Sequence, residues 1–467
     1  MSLTHRRICD QLMTPTAGGC VKHSGRFLNS LLSFLALVRF QRLFCCSGVE
    51  TSLKALRKLC TIAILDGPFI PPNPLSYAMK IILQMYSSAT ARVACEIAYC
   101  LEICTIKALT LQGIPEGWSL PSILQVVIGL SACLFPDTQN TTWTGQDGYR
   151  CEHALQTLAN LVELASRSSD FLASHYSLVL SIFHTCLHTT NISGAEKIRW
   201  NAALASSRLL QRISNSDQLV EALCEAFIAD PYFKVRAYAG LSLLLQLQRD
   251  PGIQQTSSIL SCSLQFLGTD LRHYFTKPVA ADALQYQVVC PYIAGRLLLQ
   301  AGILSLQGLQ RNWEEGLINL NRIVEELERN EALSENLKNS WQYAKDAKVA
   351  ATTVVKRNAS GVTGGGLARM PKQPMVISFA ERYSLLQSLK LDEAIDELSK
   401  AMKTFEKEAR IVASASLLTP ELVQGLTRLT HVTTLGKTVK TLPRPHLSTP
   451  DDQLDALPQT TRDGVVD

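Results

Sequence analysis

The sequence predicts an all-α chain whose centre is a solenoid of stacked helix pairs, and three observations carry that expectation. Hydrophobic residues make up 46% of the 467 and charged residues only 18%, with Gly and Pro sparse and β-rich runs few, which is the composition of helices buried against helices. The length suits either several domains or one array that grows by repetition and is not capped by a single core. A segment also recurs at an offset of 37 residues: Lys197-Ile198-Arg199-Trp200-Asn201-Ala202-Ala203-Leu204 aligns with Lys234-Val235-Arg236-Ala237-Tyr238-Ala239-Gly240-Leu241, and Leu210-Gln211-Arg212 falls on Leu247-Gln248-Arg249.

Taken in chain order, residues 1–25 read as a poorly ordered basic N-terminus, since residues 1–60 hold nine Lys/Arg against only Asp10 and Glu50. Such a start suits a mitochondrial transit peptide, but Asp10 and the helix-like run from Arg26 suit the solvated edge of a stack better. The solenoid is expected over residues 26–310. Within it, Ala91 through Cys104 reads as a second helix of a pair, Leu120 to Leu134 as the next first helix, and Cys151 to Ala165 as another helix, all by periodicity. The clearest unit begins with the N-cap cluster Ser214-Asn215-Ser216-Asp217 and continues with Leu219, Val220, Leu223, Cys224, Phe227 and Ile228 at helical spacing. Asp230-Pro231 then stops that helix, because a residue before proline is pushed out of the α region, and the second helix opens near Tyr232. Small residues beside large aliphatic ones in the second helices (Ala202, Ala203, Ala205; Ala237, Ala239, Gly240) let neighbours approach closely on every side.

A helix pair whose turn ends in Asp230-Pro231 and whose second helix opens with Val235-Arg236 resembles the HEAT repeat of the armadillo-type solenoids. The resemblance implies that Arg236 bonds to Asp230 across the turn, with Arg199 as its counterpart one repeat earlier. It also implies a chain that works by holding other proteins on its surface. Arg212 and Arg249 form a second short basic ladder, a candidate groove for an acidic peptide or partner.

Beyond residue 310 the pattern changes. Trp313, Leu317, Leu320, Val324 and Leu327 define an amphipathic helix with acids on its wet face, and a further helix is expected from about Glu335 to Lys356, so residues 311–358 form an amphipathic helical cap. Gly364-Gly365-Gly366 with Pro371 and Pro374 make 359–374 a flexible linker. The helical segment 375–440 carries a heptad seam through Leu391, Ile395, Leu398, Met402 and Phe405, which either docks on another helix of this chain or meets a partner. The Pro-rich tail 441–467 is expected to be disordered.

Sites for chemistry are scarce. His184 and His188 lie one helical turn apart and are the best ligand constellation, but they lack a metalloprotease glutamate and an obvious third ligand, so no metal is expected. The cysteines, Cys100 and Cys104 among them, sit in apolar helical patterns as small hydrophobes. No phosphate loop, nucleophile elbow or converging carboxylate pair is found; neither catalysis nor a cofactor is expected. Apolar runs such as Leu297 to Leu309 are interrupted before the roughly 20 residues a membrane span needs, so no span is expected. The net charge of +5 is too small to imply nucleic-acid binding. The reading is an intracellular protein, cytoplasmic or nuclear with mitochondrial placement the lesser alternative, that serves as a non-catalytic scaffold for one or more other proteins. A cargo-binding adaptor or transport receptor, or a regulatory subunit of an enzyme complex, is the alternative.

Overall fold

The computed structural model of the chain describes residues 50, 53–54, 72–87, 89–131, 145–165, 169–189, 195–210, 216–249, 252–276, 281–308, 313–340, 342–343 and 345–346, and 407, 419–420, 424 and 427. The regions 1–25, 359–374 and 441–467, the seam from Leu391 to Phe405, and Arg212 lie outside the described residues. Every regular element among those described is a helix. In order they are α1 (Pro72–Tyr86), α2 (Ala91–Thr110), α3 (Leu120–Ser131), α4 (Gly145–Ala165), α5 (Ser169–Leu187), α6 (Glu196–Leu210), α7 (Asp217–Ala229), α8 (Phe233–Leu247), α9 (Ile253–Leu267), α10 (Leu271–Phe275), α11 (Ala281–Gly308), α12 (Trp313–Arg329) and α13, helical over 331–340. The described residues divide into two compact units, one running to Cys262 and the other beginning at Ser263.

Local chemistry explains where the helices of the first unit begin and stop. Pro72 opens α1, a position where the missing N–H would have had no helical partner anyway. Leu75, Ala78, Met79, Ile82 and Met85 then form its buried stripe. Thr90 caps α2 by accepting the Val93 N–H at 3.5 Å, and every residue from Val93 to Ala108 is buried. Asp230 ends α7 in extended conformation ahead of Pro231, and α8 starts at Phe233.

The pairing follows from burial. α1 packs on α2, α3 on α4, α5 on α6 and α7 on α8, and the second members also pack in series, α2 on α4, α4 on α6 and α6 on α8. First members meet likewise, α1 with α3 and α5 with α7. The second members are therefore enclosed on several sides, which is why α8 buries Val235, Ala237, Tyr238, Ala239, Gly240, Leu241, Leu243 and Leu244 without a wet stripe. At about 1.5–3 kcal/mol for each large aliphatic side chain removed from water, these layers supply the stability of the unit. Gly129 of α3 permits a close approach: a Cβ there would collide with the Tyr86 hydroxyl.

In the second unit α11 packs on α12. Asn336 of α13 donates to the carbonyls of Leu267 at 2.7 Å and Thr269 at 3.0 Å, and Asn330 donates to Gly268 at 3.2 Å, so side-chain amides satisfy the carbonyls that α9 leaves unpaired at its end. One helix boundary is corrected here. The helix after α12 starts at residue 331, earlier than Glu335, because Asn330 accepts the Leu333 N–H and begins the turn. And one stretch, Ala283–Ser305, is long and apolar enough by length and composition to cross a membrane. The apolar run extends N-terminally through Val288 and Ile293, and the single Pro291 and Arg296 do not interrupt it; 83% of its most apolar window is buried within the fold.

Candidate functional site

The repeat motif assembles at the turn between α7 and α8. The Asp230 carboxylate, 3% exposed, accepts from Arg199 of α6, itself 3% exposed, with Nε to Oδ2 at 2.7 Å and Nη2 to Oδ1 at 3.4 Å. Arg199 Nη1 donates to the Thr189 carbonyl at 3.0 Å, just beyond α5. Oδ1 of Asp230 also takes the backbone N–H of Tyr232 at 2.8 Å, shaping the turn. Arg236 reaches Asp230 as well, but through its main-chain carbonyl, with Nε donating at 2.6 Å. The Arg236–Asp230 bond implied by the resemblance is made through the main-chain oxygen; the carboxylate itself is partnered by Arg199, because the Asp230 side chain turns toward the preceding helix pair while the Arg236 guanidinium stays at the half-buried start of its own helix. One buried charge pair thus ties α6 to the α7–α8 turn, and Pro231 and Val235 frame it, Pro231 exposed and Val235 fully buried.

At the other end of the second helices, Arg249 is exposed yet donates from Nη1 to the Leu210 carbonyl at 3.0 Å, so it satisfies the end of α6. On the same pair of helices Ser242 donates to the Ala203 carbonyl at 2.6 Å. Lys234 lies 3.6 Å above the Trp200 ring, and Trp200 stacks on Tyr238 with centroids 5.7 Å apart.

A polar network that the sequence reading did not identify crosses the second helices deep in the unit. Glu102 of α2 bonds His153 of α4 through Oε2 and Nδ1. Asn160 of α4 donates to Thr105 of α2 at 2.9 Å and accepts from Arg208 of α6 at 2.5 Å. Gln156 of α4 donates to Asn201 of α6 at 2.8 Å. Farther along, Gln246 of α8 donates to Gln255 of α9 and Gln255 to Asp217 of α7, at 2.8 and 2.7 Å. Burial, reinforced by the nearby Glu102 carboxylate, pushes the Glu152 carboxyl up, against the pull of His153, Lys197 and the hydrogen bond with Asn201. The signal available in the sequence was a polar side chain inside helices that are apolar nearly all round, such as Glu102 amid Cys100, Leu101, Ile103 and Cys104.

The histidine pair is near the surface. The rings of His184 and His188 stack with centroids 4.3 Å apart, His188 Nδ1 meets the His184 carbonyl at 2.8 Å, and its Nε2 meets Glu225 of α7 at 3.0 Å. Partial burial and the neighbouring His188 hold the His184 imidazole below its ordinary value, opposed by Glu225. No group of three or more His, Cys, Asp or Glu among the described residues is arranged to hold a metal ion. Cys100, Cys104, Cys186, Cys224, Cys262 and Cys290 are buried free thiols. The Cys262 thiol is pushed well up by its hydrogen bond with Cys224 and by burial, which keeps it protonated and unreactive.

No family model, curated protein or solved structure matches this chain.

Proposed function

We propose that this chain is a HEAT-type solenoid that acts as a non-catalytic scaffold for protein–protein interaction. The observation that supports the reading is the serial packing of α2, α4, α6 and α8, each with its own first helix, joined by a motif whose equivalents recur 37 residues apart. In such an array each unit touches its neighbours, so the layer stabilises itself and leaves the outer helices and turn edges to a partner. The large apolar side chains exposed among the described residues, Tyr77, Leu178, Tyr232 and Ile318, lie on separate elements, and a partner would be held by area and polar complementarity. The polar side chains of the second helices are spent on each other, which favours a structural role over catalysis. A cargo-binding adaptor, a transport receptor and an enzyme's regulatory subunit are variants of this reading, told apart by the partner.

Affinity purification of the full chain followed by mass spectrometry, and reconstitution of the recovered protein with the purified chain, tests the proposal. A stoichiometric complex on size-exclusion chromatography is expected. Failure to reconstitute any recovered protein, or turnover of a small-molecule substrate by the chain alone, would overturn it.

A further inference from the structure

The end of α5 sets two histidines beside the neighbouring first helix, α7, and the bonds of one of them require a particular charge. His184 lies in the last turn of α5, and His188 is the residue just after the helix. His188 Nδ1 is 2.8 Å from the His184 carbonyl, and its Nε2 is 3.0 Å from Oε2 of Glu225 on α7. A carbonyl oxygen only accepts, and so does an ionised carboxylate, so each contact needs a hydrogen on the ring nitrogen that makes it. A neutral imidazole carries one such hydrogen and satisfies one contact; the imidazolium satisfies both. The place of the ring favours the same form, because the last carbonyls of a helix carry partial negative charge. His188 and Glu225 are 37 positions apart, the offset at which the second helices repeat, so the pair joins equivalent points of successive first helices.

The His184 ring stacks on that of His188, with centroids 4.3 Å apart and planes 27° from parallel, a distance at which two charged rings repel. Partial burial, and after it His188, hold the His184 imidazole below its ordinary value of 6.5, opposed by Glu225. The pair therefore takes its first proton on His188 and resists a second on His184. Three helices pack on α5: α4, α6 and α7. Glu225 is the α7 group that acts here, and Glu221, one turn earlier, is exposed and is not among the groups acting on His184. From α6, Arg199 reaches the Thr189 carbonyl next to His188, but Asp230 balances its charge. None of the described ionisable groups of α4 or α6 is among those acting on His184.

We propose that His188 is a one-proton clip between the first helices α5 and α7, closed while its imidazolium bridges the His184 carbonyl and Glu225, and opened by loss of that proton or by arrival of a second on His184. On the alkaline side the clip loses one of its two bonds as the ring becomes neutral, so it weakens as pH rises through the imidazole range, about 6 to 7. On the acid side the sign is reversed. The folded chain favours neutral His184, so that contribution is complete above 6.5 and is lost as pH falls through the lowered value. The edge between α5 and α7 is therefore tightest where the pair holds one proton.

The test is hydrogen exchange of the full chain from about pH 5 to 8.5, corrected for the intrinsic pH dependence, in peptides from 169–187 and 217–229. The two side chains of the ion pair are 43% and 70% exposed, so the exchange should rise only about two- to fivefold on either side of its minimum, and the peptide 313–329 should not respond. Glu225→Gln should remove the alkaline rise, since an amide can give or take a hydrogen bond and so pairs with either form of the ring. His184→Gln should remove the acid rise and keep the alkaline one, because His188 bonds the main-chain carbonyl at that position. Two-bond proton–nitrogen NMR spectra of histidine-labelled chain should show His188 with hydrogen on both ring nitrogens while His184 is still neutral. A native chain with no alkaline rise, a Glu225→Gln chain with an undiminished one, or spectra in which His184 takes its proton before His188 would each overturn the proposal.

Discussion

Replacing Asp230 by Asn isolates the contribution of the buried charge pair at the α7–α8 turn. Asparagine keeps nearly the same volume and an oxygen for the Tyr232 N–H, now 2.8 Å from Oδ1, so the turn itself retains its bond. What changes is the partner of Arg199: the Nε–H that donates to Oδ2 at 2.7 Å would face an amide NH2, donor against donor, and the negative charge that balances a guanidinium only 3% exposed would be gone. The Thr189 carbonyl at 3.0 Å is a dipole and cannot replace it. Removing one partner of a buried pair costs about 3–5 kcal/mol. That is a rise of more than about 100-fold in the unfolding constant. Urea denaturation followed by circular dichroism gives the loss, and hydrogen exchange of peptides within 196–247 locates it, with 313–329 as the control expected to stay protected. Adding Arg199→Met should recover most of the loss, since no buried charge then remains. A loss below about 1 kcal/mol for Asp230→Asn, or no recovery in the double variant, would refute the reasoning that desolvation of this pair governs the joint.

Arg236→Ala removes a 2.6 Å bond to the Asp230 carbonyl at a half-buried site and should cost about 1–2 kcal/mol by thermal or urea unfolding, whereas Arg249→Ala, at an exposed side chain, should cost well under that; equal losses would mean the two arginine ladders are not different in kind. Gly295→Ala in α11 would set a Cβ 2.8 Å from the Cβ of Ser340, so it should destabilise by about 1–3 kcal/mol, and Ser340→Gly in the same chain should relieve it; no change in melting temperature would show that α11 and α13 can shift apart freely. Protein purified without chelator should contain far less than about one zinc per chain, because a structural site wants four ligands and His188 already spends its nitrogens on a carbonyl and Glu225; elemental analysis near one zinc per chain would contradict this.

The helical class, the pairing of α7 with α8 and the place of the turn between them were legible in the residues, because hydrophobic period, N-cap clusters and Asp-Pro act within a few positions along the chain. The resemblance to HEAT repeats likewise drew attention to Arg199, Asp230 and Arg236 and to a bond between the last two, but it did not say which oxygen of Asp230 takes that bond or that Arg199 holds the carboxylate. A chemical pattern names which residue types meet, and side-chain direction decides which atoms do. The start of α13 was missed by a few residues because Asn330 reads equally well as part of α12's wet face or as a cap. The length of the apolar helix α11 was missed because the run was read from Leu297, past the Val288 to Ile293 stretch that precedes it.

What the sequence by itself determined is local: where helices start, stop and turn an apolar face, and that neighbouring pairs repeat one pattern. Only the tertiary structure decided which polar groups share the interior. Glu102 and His153 are 51 positions apart, Arg199 and Asp230 31, and Gln156 and Asn201 45. Apart from Asp230, which sits in the turn, each looks in sequence like a polar interruption of a buried helix, and all become tolerable only because a neighbouring element carries the partner to the same depth. The cost of burying a charge or an amide is fixed by its surroundings in three dimensions, so the helical period can place such a side chain on the inner face but cannot say what neutralises it there.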